Sequence, residues 1–101
     1  MMNNIELKTD VTNIPGSEKF MKTCFNALER LAALAPSDNS IQMSVDQKGD
    51  NYLVAITVAS QELRFALETA AKSPFMALEQ AFKDSLDRVM KWSTSRQLKL
   101  A

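Results

Sequence analysis

Residues 46–92, DQKGDNYLVAITVASQELRFALETAAKSPFMALEQAFKDSLDRVMKW, contain one change of rhythm that decides the fold. Tyr52, Val54, Ile56 and Val58 alternate with their neighbours, the period of a half-buried strand. Leu63, Phe65 and Leu67 repeat that period after a short break at Ser60-Gln61. From Phe75 the spacing becomes helical, through Leu78, Phe82, Leu86 and Val89. Ser73 is placed to cap that helix, and Pro74 suits its first turn, where an N–H is not needed. Lys48-Gly49-Asp50-Asn51, ahead of the first of these strands, reads as a hairpin turn in which Gly49 is free to take positive φ. The expected elements are strands over about 52–59 and 62–69 and a helix over about 74–92, fraying into a polar tail from Ser93-Thr94-Ser95.

Upstream, Ile41, Met43 and Val45 give one more inward strand face, over about 41–47. Pro36 ends a helix expected over about 17–34, opened by Ser17 with Glu18 in the first turn, where the helix dipole favours an acid. Its inward stripe is Phe20, Cys24, Ala27, Leu28, Leu31 and Leu34. Before the Pro15-Gly16 break, Ile5, Leu7 and Val11 alternate with charged residues in a first strand over about 5–11. The expectation is an α+β chain: a two-layer β-α-β-β-β-α sandwich, a four-stranded sheet with two helices on one face, in a single domain over residues 1–101.

The chemistry that is missing narrows the function. The chain has no histidine, so the commonest general base and metal ligand is absent. Its one cysteine, Cys24, lies on an apolar stripe and reads as a small buried hydrophobe rather than a nucleophile. The two glycines stand apart, so there is no phosphate-cradling loop. Glu79 and Lys83, Asp84 and Arg88, and Asp87 and Lys91 have the spacing of solvated helix ion pairs rather than of catalytic carboxylates. No enzyme activity, metal, cofactor or small-molecule substrate is expected. No apolar run reaches the roughly 20 residues of a membrane span, MMNNIELKTD lacks a secretory pattern, and a lone cysteine suits a reducing cytoplasm.

Formal net charge is zero, from 12 basic and 12 acidic residues, but the charge is unevenly spread. Residues 37–70 set Lys48 and Arg64 against Asp38, Asp46, Asp50, Glu62 and Glu68. Residues 71–101 reverse that balance, and from Arg88 onward there is no acid. Arg88, Lys91 and Arg96 with the interleaved Trp92 could serve backbone contact and base stacking; Trp92 could equally cover one end of the core. Lys19, Lys22, Asn26 and Arg30 share one side of the first helix, as a phosphate-tracking stripe or as an ordinary solvated face. Met21 and Phe25 sit at the edge of that helix's apolar stripe, where an association surface would lie.

The segment QKGDNYLVAITV, followed by QELRFALETAAKSPFMALEQAFKDSLDRVMKW, resembles the bacterial ribosome hibernation-promoting factors, the ribosome-associated inhibitor or sigma-54 modulation protein family. In that family a similar hairpin and strand lead to an Asp-Met-Tyr-x-Ala-Ile-like or Pro-Tyr-x-Ala-like opening of the last helix. Ser73, Pro74, Phe75, Ala77, Leu78 and Ala81 stand in that pattern here. The resemblance implies a β-α-β-β-β-α fold and binding to the small ribosomal subunit and its rRNA, in the channel for mRNA and tRNA. It implies inhibited translation and ribosome hibernation under stress. The corresponding form is the short one, without a C-terminal dimerisation domain. Members of the family line their helices with Lys and Arg; the counterparts here are Lys19, Lys22, Arg30, Lys83, Arg88, Lys91 and Arg96. The last helix departs from that pattern by carrying Glu79, Asp84 and Asp87 as well. The alternative is a protein-interaction module, which could be a homodimer through Met21 and Phe25, that keeps the fold without the RNA binding. A double-stranded-RNA binder shares the order of elements but is disfavoured by the absence of a basic N-terminus on the last helix.

Overall fold

A computed structural model describes residues 4–9 and 17–100, with side chains from Ile5 to Lys8 and from Glu18 to Ser95. The elements are β1 (Asn4–Thr9), α1 (Ser17–Leu34), β2 (Ser40–Lys48), β3 (Asn51–Ala59), β4 (Arg64–Ala71) and α2 (Pro74–Leu100). Val11 and the Pro15-Gly16 break lie outside the described residues.

The alternating residues become one four-stranded sheet in the order β1-β2-β3-β4. β1 runs parallel to β2, pairing Ile5 with Ile41 and Leu7 with Met43, so α1 serves as the crossover helix that a parallel pair requires. β2–β3 and β3–β4 are antiparallel. The β2–β3 hairpin closes over Gly49-Asp50; Gly49 has φ 62°, and no non-glycine residue described takes positive φ. Glycine at the first central position is the requirement of a type II′ turn, whose twist matches that of the flanking strands.

Period-2 alternation sends Ile41, Met43, Val45, Val54, Ile56, Val58 and Phe65 to one face, all buried. The other face carries Gln42, Thr57, Ala66, Glu68 and Ala70, all exposed. Both helices cover the apolar face, α1 against β1 and β2, α2 against β3 and β4. From α1 the core takes Phe20, Cys24, Leu28 and Leu31; from α2 it takes Ala77, Leu78, Ala81 and Val89. Each large side chain wholly removed from water contributes roughly 1.5–3 kcal/mol before entropy is counted. Polar links fix the joints. The Thr69 hydroxyl donates to the Ala77 carbonyl at 2.6 Å, tying β4 to the first turn of α2. The Asn39 side-chain amide donates to the carbonyls of Ala32 (3.0 Å) and Pro36 (2.7 Å), closing the C-terminus of α1. The backbone N–H of Gln61 donates to Asp38 Oδ2 at 3.0 Å, joining two loops at one end of the sheet.

Four expectations need correction. β4 begins at Arg64, not at Glu62, and continues to Ala71. Ser60 Oγ bonds both the N–H and the carbonyl of Leu63, each at 2.9 Å, so the residues before Arg64 form a closed turn. α2 continues past Trp92 to Leu100, because neither glycine nor proline follows Pro74 and Gln97, Leu98, Lys99 and Leu100 are good helix formers. Leu34 is 43% exposed; at the last turn of α1 the buried positions are Ala32 and Ala35. Phe82 is half-buried beside the core rather than central to it.

Candidate nucleic-acid interface

The helical layer carries most of the candidate residues. α1 turns Phe20, Cys24, Leu28 and Leu31 inward, so its 3.6-residue period sends Lys19, Lys22, Asn26 and Arg30 outward on a single flank. All four are exposed. Where this flank meets α2 the two helices leave a groove of about 330 Å³. Thr23, Asn26, Ala27 and Arg30 form the α1 wall, and Phe75, Leu78, Glu79 and Phe82 form the α2 wall. The groove exists because small residues, Thr23 and Ala27, face the large rings of Phe75 and Phe82. Its lining is mainly apolar, with Thr23, Asn26, Arg30 and Glu79 as the polar members.

The α2 candidates are dispersed. Lys83 borders a shallow concavity of about 360 Å³ with Asp84, Leu86, Asp87 and Met90. Lys91 Nζ lies 3.1 Å from Asp87 Oδ2, the i,i+4 pair expected from the sequence. The expected Asp84–Arg88 pair does not form. Asp84 Oδ1 accepts instead from Gln80 Nε2 at 2.8 Å. Arg88 stands over the Phe65 ring of β4, 5.7 Å from its centroid. By its position on the helix Arg88 is on the flank of α2 away from α1, so it does not converge with Lys19, Lys22 and Arg30. Trp92 is half-buried, and the side chain of Arg96 lies outside the described residues. Met21 is half-buried and Phe25 is 42% exposed, on the flank of α1 opposite the groove.

A wheel drawn from the sequence finds the α1 flank. It does not find the groove, whose α2 wall of Phe75, Glu79 and Phe82 needs both helices in place, nor the Arg88–Phe65 contact, which joins a helix to a strand. The one thiol offers no chemistry here: burial pushes Cys24 up to about 12. Among the described residues no helix is long and apolar enough to cross a membrane, and no cluster of acids and thiols could hold a metal ion.

The arrangement is the β-α-β-β-β-α fold that the sequence resemblance implied. Solved structures of other proteins carry it, among them the following two. The N-terminal domain of Protein Y from Thermus thermophilus superposes with a TM-score of 0.72 at 15% identity, covering 90% of this chain and 99% of that one. A ribosomal subunit interface protein from Coxiella burnetii superposes with a TM-score of 0.67 at 9% identity, covering 92% of this chain and 99% of that one. No family model matches the chain, and no curated protein matches it by sequence. At these identities the likeness is one of fold.

Proposed function

We propose that this protein is a non-catalytic, cytoplasmic, ribosome-associated factor. It binds the small subunit through the basic flank of α1 and the neighbouring part of α2, and so restrains translation or promotes ribosome storage under stress. The observation that carries this reading is a fold shared, over nearly the whole chain, with Protein Y and a ribosomal subunit interface protein. The exposed Lys19, Lys22 and Arg30 on one flank support it, with Lys83 on α2 as a fourth cation. Basic groups on one surface follow a phosphate backbone without reading sequence, which suits a protein that occupies an RNA-lined site. The acids Glu79, Asp84 and Asp87 lie among the α2 cations and reduce the positive field there. The α1 flank is therefore the principal contact.

Sucrose-gradient sedimentation of lysates from growing and starved cells, probed for this protein, tests the reading. Co-migration with small subunits or whole ribosomes, increased by starvation and abolished at high salt, is expected. Migration at the top of the gradient under both conditions would overturn it.

A further inference from the structure

We propose that β4 is a pairing edge for a second copy of this chain, making one continuous sheet across a two-fold axis at Ala66. β4 is the outermost strand on its side of the sheet, and its outer backbone groups have no strand partner. An unpaired edge of this kind is a template for another strand unless charge, proline, a bulge or a covering segment blocks it. The eight residues of β4, RFALETAA, hold no proline, and their register with β3 runs unbroken from Arg64 to Ala71. At the opposite edge, an ion pair at 3.2 Å between Lys8 and Glu6 occupies the exposed side of β1.

The charges on β4 choose the occupant. Its open face presents Arg64, Ala66, Glu68 and Ala70, all exposed. Antiparallel pairing of two copies about Ala66 places Arg64 of each opposite Glu68 of the other, with two alanines meeting at the axis. On the helix side the same register sets Phe65, with Arg88 over its ring, opposite the apolar Leu67 of the second copy. A slip of one residue would turn one copy over and put its charged face beside the other's core face. Centring the axis on Arg64 or on Glu68 would bring like charges face to face, which is destabilising. The spacing of one cation and one anion about a small residue is thus self-complementary, as an isologous contact requires. Arg64 is held at its base by donation from Nε to the Ser60 carbonyl at 3.0 Å, which leaves its terminal nitrogens for the anion opposite. Glu68 forms no ion pair among the described residues, so its carboxylate is available.

Sedimentation-velocity ultracentrifugation of the whole chain over a wide concentration range tests the proposal. The wild type should form a dimer. Glu68→Arg replaces two attractions by two repulsions and should weaken the dimer on the order of tenfold or more. Adding Arg64→Glu restores both opposite-charge pairs and should recover the dimer. Ala66→Lys keeps every backbone hydrogen bond and sets like charges at the axis, so it should also dissociate the dimer. Circular dichroism checks that each variant is folded. A monomer at every concentration, or a dimer indifferent to Glu68→Arg and Ala66→Lys, would overturn the proposal. So would a dimer dissolved by Phe25→Ser alone, which would place the interface on α1.

Discussion

Phe20 of α1 and Phe75 of α2 meet edge to face, with ring centroids 5.2 Å apart and planes at 82°. This geometry sets the positive edge of one ring against the negative face of the other, and it locks the two helices side by side over the sheet. Phe20 is fully buried, while Phe75 is only partly so and lines the groove. Phe20→Ala should therefore cost about 3–5 kcal/mol and Phe82→Ala distinctly less. Urea denaturation midpoints check this, and the reverse order would refute the core assignment.

Cys24 should be inert while the protein is folded. Burial raises its thiol from an ordinary 9.0 to about 12, so almost no thiolate exists near neutral pH. Labelling with a thiol reagent should follow unfolding. The folded value is the raised one, so the thiol's contribution to stability is complete below about 9 and disappears as pH climbs toward about 12. Fast labelling of native protein at pH 8 would contradict this.

On the ribosome-binding proposal, the two basic groups should behave differently. Reversing Lys19, Lys22 and Arg30 should remove most binding to small subunits and flatten its salt dependence, by roughly 0.7–0.9 in log–log slope for each phosphate no longer neutralised. Reversing Arg88 and Lys91 should do less, since one lies over Phe65 and the other is paired with Asp87. Filter-binding titrations at several salt concentrations distinguish the two sets. Equal weakening by both would place Arg88 and Lys91 against the RNA as well.

Asn39 is 2% exposed, and its amide holds two carbonyls beyond the reach of water. Asn39→Ala should destabilise by roughly 1–3 kcal/mol, through the lost donation to the Ala32 carbonyl, while the Pro36 carbonyl keeps the Asn39 backbone N–H at 3.0 Å. Asn39→Asp should cost more, because a carboxylate cannot donate and would point at those same oxygens. Thermal melts of the three proteins should rank in that order, and an Asp variant as stable as the wild type would show that the capping role is wrong.

The elements that local rules dictate could be read in advance. Gly49 takes positive φ because the tight hairpin demands it, α2 does begin at Pro74, and strands and helices follow their two periods. Leu63 misled because it keeps the alternation of Phe65 and Leu67, while the Ser60 hydroxyl holds it in a turn. Leu34 misled because a helix stripe ends where the core ends, and that limit is set by the partner layer. For the surface, one helix's own geometry is enough to collect Lys19, Lys22 and Arg30 on a flank. The fate of Arg88 depends on Phe65, a residue on another element, and no spacing within α2 encodes it.

Were both proposals to hold, and a phosphate to reach Arg88, the Arg88–Phe65 contact would link polyanion binding to self-association. Arg88 covers the ring that lies next to Ala66 on the β4 edge. A phosphate that drew the guanidinium outward would uncover Phe65, making the edge more apolar at the place where a second copy would lie. A second copy seated against Phe65 would in turn change the space open to Arg88. The two events would then share one coupling free energy. Whatever factor polyanion binding contributed to self-association, self-association would return to polyanion binding.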